Sequence, residues 1–252
     1  MIRFFPLYLF LWIGFLFQSP AQVSIKDSSV FVPMVCASYG FQFPGGDLTK
    51  RFGPNSNFGL SFLIKNKKNL VYGISGSFIF GNKLREDGIL DTISTSTGQI
   101  IDANGQYAEV RLFERGFATH LHFGIVFPFP KPNPNSGILA LAGAGFLQHK
   151  IRIDDIGNNS PQLSKEYRKG YDRLTNGFSV SQFLGYVFLS NKRLVNFYGG
   201  FEFIQAFTQS RRSWDVDLMK RDTQKRFDVL YGFRLGWILP LYKKAPDKYY
   251  YY

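Results

Sequence analysis

The sequence predicts an all-β fold: a transmembrane antiparallel up-and-down barrel of eight strands, with long extracellular loops and short periplasmic turns. Three observations carry this. Eight stretches alternate large apolar residues with small or polar ones at period two. The connections between them alternate strictly between short and long. Aromatic residues make up 18% of the chain, yet beyond residue 17 no apolar run approaches the roughly 20 residues of a membrane-spanning helix. A barrel strand shows lipid only every second side chain, so a membrane barrel never produces such a run.

The chain opens with "MIRFFPLYLFLWIGFLFQSPAQ": a basic start at Arg3, an apolar core and small residues at Ser19 and Ala21. This is the pattern of a cleavable secretory signal over 1–21, followed by a periplasmic segment over 22–32. Cys36 lacks the small preceding residue of a lipidation site, and as the lone cysteine it excludes an internal disulfide framework.

In the first strand Val35, Ala37, Tyr39, Phe41 and Phe43 alternate with Cys36, Ser38, Gly40 and Gln42. The second sets Phe58, Leu60, Phe62 and Ile64 against Asn57, Gly59, Ser61 and Lys65; the third sets Leu70, Tyr72, Ile74, Phe78 and Phe80 against Gly73, Ser75 and Ser77. In the fourth Phe117, Leu121, Phe123, Ile125, Phe127 and Phe129 oppose His120, His122 and Gly124. The fifth alternates Leu139, Leu141 and Leu147 with Ala140, Ala142 and Ala144, which leaves its facing open and that of His149 with it. The sixth carries Phe178, Val180, Leu184, Tyr186 and Phe188 outward, with Gln182 also outward and Phe183 inward. The seventh opposes Val195, Phe197, Phe201, Phe203 and Phe207 to Asn196, Gly200 and Glu202. The eighth opposes Val229, Tyr231, Phe233, Leu235, Trp237, Leu239 and Leu241 to Asp228, Gly232, Arg234 and Gly236.

The gaps 65–69, 130–137 and 190–193 are short; the gaps 44–56, 81–116, 154–176 and 208–226 are longer. An even strand count puts both ends of a barrel over 33–242 in the periplasm, with a tyrosine-rich tail, "KKAPDKYYYY", over 243–252. The gap 81–116 holds an Asn104-Gly105 turn signal; a hairpin there that entered the sheet would raise the count to ten. A lipocalin-like barrel or a β-sandwich would carry charged residues on the face opposite its core. Here that face is Gly, Ser and Ala, which suits a tight lumen.

The stretches "SYGFQFPGGDLTKRFGPNSNFGLSFLIKNKKN", "FPFPKPNPNSGILALAGAGFLQHKIRI" and "KGYDRLTNGF" resemble the small outer-membrane β-barrel family of Bacteroidota, which shares the eight-stranded plan of OmpA- and OmpX-type barrels. The ending "FDVLYGFRLGWILPLY" resembles the assembly signal of bacterial outer-membrane proteins, although ten further residues follow it. The resemblance implies location in the outer membrane of a Gram-negative bacterium. It implies a role such as accessory subunit of an outer-membrane protein insertion or secretion complex, and it brings no catalytic motif.

Among candidate sites, His120 and His122 point the same way, into the lumen, but no further ligand converges on them at strand spacing, so the reading is structural, with no metal and no cofactor. Asp228 shares the lumen side. Glu202 and Arg234, mid-strand on neighbouring strands, are expected to form a lumen ion pair, because unpaired charge inside a membrane structure is costly. Eight strands leave room for little more than side chains, so the lumen is expected to be filled.

The net charge of +12 suggests nucleic acid at first sight, but an exported chain does not meet it; outer-membrane lipid and lipopolysaccharide phosphates are the better match for Arg211, Arg212 and Arg221. Partner-protein contacts are expected at Tyr167, Tyr171 and Trp214 in the loops and at Tyr249, Tyr250, Tyr251 and Tyr252 in the tail. The function read from these features is a filled barrel serving a cell-envelope complex. A small channel or transporter is the alternative, and a lipid-modifying barrel enzyme ranks third, since three histidines and no recognisable nucleophile–base pair argue against catalysis.

Overall fold

Period-two patterning becomes strands whose side chains alternate between two environments. A computed structural model describes residues 28–130, 132–190 and 194–241. The signal segment over 1–21 and the tail with Tyr249, Tyr250, Tyr251 and Tyr252 lie outside the described residues.

The strands are β1 (Val32–Gly46), β2 (Asn55–Lys65), β3 (Leu70–Gly81), β4 (Ile100–Ile101), β5 (Tyr107–Ala108), β6 (Val110–Phe127), β7 (Gly137–Asp155), β8 (Thr175–Phe188), β9 (Phe197–Ser210) and β10 (Lys225–Pro240). Eight of them close into a barrel in the order β1-β10-β9-β8-β7-β6-β3-β2, each antiparallel to its neighbours. β4 and β5 pair only with each other, around the Asn104-Gly105 turn where Gly105 has φ +75°. The hairpin signal therefore produced a hairpin in the loop above the barrel, and the count is eight rather than ten.

The register fixes the shape. Followed from Met34 through Leu63, Gly73, His122, Gly143, Ser181, Ile204 and Leu230, the ladder returns to β1 at Pro44, ten residues further along. Ten residues of about 3.3 Å, set against eight strand spacings of about 4.8 Å, give a tilt of about 40°.

One face of each strand is exposed and aromatic. Tyr39, Phe58, Phe78 and Phe117 stand opposite one another along the ladder, as do Phe146, Phe178, Phe207 and Phe227, and Phe117 joins the two sets with ring centroids 5.8 Å apart from Phe146. From this girdle to the short-turn end none of the outward positions of the eight strands is charged. Above it charge begins: β6 and β7 overshoot the other strands and carry Arg111, Arg115, Lys150 and Arg152 outward, with Arg115 stacked 5.0 Å over the Phe113 ring.

β7 inverts the usual pattern. Leu139 and Leu147 are buried inside while Ala142 and Ala144 are exposed outside. The lumen needs volume at these heights and the exterior does not, so size here tracks the inside.

Candidate functional site

The inward residues form three layers. At the short-turn end Val32, Met34, Leu63, Val71, Phe183 and Val187 belong to one buried apolar cluster, which also takes in Val30 from the chain leading into β1. At the long-loop end Ile79, Leu147, Ile151, Ile153, Ile204 and Leu230 form a second cluster, together with loop residues that fold down into the mouth: Leu48, Phe52, Ile89, Ile100 and Leu163. Between the two lies a belt of small and polar groups, including Gln42, Asn57, Ser75, His120, His122, Ser179, Glu202 and Arg234.

Within the belt Arg234 Nη1 lies 2.7 Å from Glu202 Oε1, and Gln42 Nε2 donates to Glu202 Oε2 at 3.2 Å. The carboxylate is thus held from two strands, as a desolvated charge requires. His120 and His122 face inward. His120 Nε2 is 2.9 Å from Ser179 Oγ and His122 Nε2 is 2.7 Å from Ser75 Oγ. His120 reaches β8 across Gly145, which lies opposite it on β7 and has no side chain to block the way. Sequence reasoning missed both Ser contacts, because they join residues 59 and 47 positions apart; the register alone brings them together. Among the described residues no group of three or more His, Cys, Asp or Glu side chains has metal-binding geometry.

One step toward the loops, His149 Nε2 lies 2.9 Å from Asp228 Oδ2, and the Phe52 ring sits edge-on to His149 at 5.5 Å. His149, whose facing the sequence left open, is therefore inward and buried, beneath a plug residue from the first loop. Asp228 also faces inward and accepts from Thr208.

The short-turn mouth is tied by Lys65, whose side chain is fully buried. Its Nζ donates to Asn135 Oδ1 at 2.8 Å and Ser29 Oγ at 3.0 Å, and Val30 N donates to the same Asn135 oxygen at 2.9 Å. The lead-in segment is thereby strapped across the opening.

The long-loop mouth is closed by charge. Arg173, almost wholly buried, bonds Glu86 at 2.8 Å through Nε and Asp217 at 2.7 Å through Nη1. Arg51 reaches the same Glu86 at 3.1 Å and donates to Thr175 Oγ1 at 2.9 Å. Arg212 forms a two-pronged pair with Asp172. All four long loops, 47–54, 82–109, 156–174 and 211–224, are joined by these pairs. Burial lowers the Arg173 guanidinium, and its bonds to Asp217 and Glu86 outweigh that and hold it above its ordinary value. Burial raises the Asp215 carboxyl above the usual range against the pull of Arg173. At Asp222 burial is outweighed by the Gln224 amide and Arg226, which keep it below that range.

Two expected surface residues are corrected by this arrangement. Tyr171 is 3% exposed, packed in the plug beneath the loops, so it presents no surface to a partner. Arg212 is spent on Asp172 within the lid, whereas Arg211 and Arg221 stay exposed. Tyr167 and Trp214 are exposed, at 63% and 50%.

No known family profile matches the chain, and no curated protein matches its sequence. Among solved structures, Ail, the attachment invasion locus protein of Yersinia pestis, aligns over 83% of this chain and 99% of its own, with 10% identity and a TM-score of 0.38. The outer membrane protein OprG from Pseudomonas aeruginosa aligns over 88% of this chain and 100% of its own, with 9% identity and a TM-score of 0.39.

Proposed function

We propose that this chain is an outer-membrane barrel of a Gram-negative envelope that works through its exterior and loop surfaces, as a structural or accessory subunit of an envelope complex such as an insertion or secretion machine. The filling of the lumen carries the reading: among the described residues an apolar cluster occupies each end of the barrel, with an ion-paired belt between them. The uncharged, aromatic outer wall supports membrane insertion, since such a surface in water would be an aggregation hazard. Exposed apolar residues in the loops support a protein partner: Trp214, Leu218 and Met219 in the fourth long loop, Tyr167 in the third, and Ile101 paired with Tyr107 on the hairpin. The two Ser–His contacts lie inside the barrel, between the two apolar clusters and away from either mouth, which disfavours catalysis.

One observation keeps a narrow channel as the second reading. Asn57 is fully buried and neither of its amide side-chain atoms has a hydrogen-bond partner among the described residues, so the belt holds polar groups that a hydrated path would satisfy. Affinity purification of the tagged chain from gently solubilised outer membranes tests the first reading. Protein partners should co-purify with the wild type and be lost with Trp214→Ala/Met219→Ala. A wild type that brings down nothing, or that conducts ions steadily in a planar bilayer, overturns it.

A further inference from the structure

A groove of about 490 Å³ runs over the outside of the wall where β8, β9 and β10 pass from the aromatic girdle into the loops. Its floor is one rung of the ladder, Phe178, Phe207 and Phe227, with the last two rings 5.3 Å apart; all three are more than 40% exposed. The next rung toward the loops is polar: Asn176, Gln209 and Lys225. Arg211 stands above it, with Nε donating to Asn176 Oδ1 at 2.6 Å, which fixes the arm across the top of the groove.

The charges here are not equally available. Arg226 is committed to Asp222 and the Gln224 carbonyl. Asp47, the acid at the groove's edge, is neutralised by Lys50 at 2.7 Å and by the Phe227 amide at 3.0 Å. Lys225 and Arg211 are left as exposed cations directly over an apolar floor. A free anion has no use for the three phenyl rings, and an uncharged acyl chain has no use for the cations. The surface fits one molecule that is apolar and anionic at once, with its change of polarity at the height of the girdle.

We propose that this groove binds a phosphate-bearing, multiply acylated lipid of the outer leaflet, with acyl chains against Phe178, Phe207 and Phe227 and phosphate against Arg211 and Lys225. The proposal rests on the membrane-barrel reading above and names a lipid for that wall. Bidentate guanidinium contact and a nearby ammonium are the ordinary means of holding a phosphate.

The test uses the full chain refolded in detergent and then inserted into phosphatidylcholine vesicles, with insertion read first from the heat-shifted electrophoretic band of a closed barrel. Binding is then measured with diphosphoryl lipid A, dephosphorylated lipid A and inorganic phosphate. Diphosphoryl lipid A should bind at least about tenfold tighter than either of the others, and Arg211→Gln/Lys225→Gln should remove that preference. Phe207→Ser, which keeps both cations, should weaken both lipids together. Lys67→Gln/Lys68→Gln, in the turn at the opposite end, should change nothing. Equal affinity for the two lipids, full competition by phosphate alone, an undiminished double variant or an equal loss in the control would each overturn the site. A chain that fails to insert overturns the membrane reading as well; one that inserts but does not discriminate overturns only the groove.

Discussion

Arg173 Nε lies 2.8 Å from Glu86 Oε1, a contact that spans 87 residues of sequence and fastens the third long loop to the second. The same guanidinium bonds Asp217 in the fourth loop, and Arg51 of the first loop meets Glu86 from the other side. Arg173 also sits at φ +50°, a left-handed backbone that residues with a Cβ adopt uncommonly. One arginine is thus the hub of the lid. Arg173→Ala leaves the buried carboxylates of Asp217 and Asp215 without this guanidinium, while Glu86 keeps Arg51, and should cost about 3–5 kcal/mol of local stability. Limited proteolysis should cut the loops of this variant faster while the barrel keeps its heat-shifted band. Arg173→Lys should recover only part of the loss, because an ammonium lacks the planar fork that engages two partners at once. Equal proteolysis of wild type and Arg173→Ala would remove Arg173 from that role.

The belt pair behaves differently, because an apolar layer lies on each side of it. Glu202→Ala leaves Arg234 charged and without its partner inside the barrel, and should cost about 3–5 kcal/mol. Glu202→Leu/Arg234→Met replaces both charges by packing groups and should restore most of that stability, as measured by denaturant-dependent loss of the folded band. Bilayer conductance should stay at baseline in all three proteins, since the plugs above and below are untouched. A conductance rise in Glu202→Ala would make the pair a gate.

The wall of the barrel was legible in the sequence because its exposed outer face and its lumen impose opposite demands on alternate residues, as at Phe117 to Phe127 around His120 and His122. Strand facing, loop alternation and the meeting of Glu202 with Arg234 all follow from that one periodicity. It gave no answer on β7, where leucine faces in and alanine out, because both are apolar and only the volume of the lumen distinguishes them. The lid was not legible for a different reason. Arg212 and Tyr171 look like surface residues by type, but long-range pairing draws one into an ion pair and packs the other into a plug, and no local pattern encodes such contacts.

The barrel closes tightly enough that one hydrogen-to-methyl change should decide whether it forms. At Gly177 on β8 an added Cβ would lie 1.8 Å from the Phe207 carbonyl oxygen of β9, a backbone atom that cannot step aside without breaking the ladder. Gly76 on β3 faces outward with nothing within 4 Å of the same position. Gly177→Ala should therefore reduce the yield of folded barrel severalfold in refolding trials, while Gly76→Ala should match the wild type. Normal folding of Gly177→Ala would show that β8 and β9 can separate locally at that point.

The acids of the lid give it a pH dependence of mixed sign. Burial raises Asp215 above its ordinary value, so its ionised form weakens the lid at neutral pH and the weakening is relieved as pH falls through the raised value. Asp222 is held below the ordinary range, so its contribution is complete above about pH 4 and is lost only as pH falls through its own lower value. On acidification the lid should first tighten and then loosen. Asp215→Asn should resist an acid-tolerant protease better than wild type at pH 7, because Arg173 keeps Asp217 and Glu86, and the advantage should vanish as wild-type Asp215 takes up its proton. Asp222→Asn should be the more sensitive protein at pH 7 and converge on wild type only below about pH 4. If Asp215→Asn is instead cut faster than wild type at pH 7, the Asp215 charge is a net support of the lid, and the 3.6 Å contact with Arg173 outweighs the burial of its carboxylate.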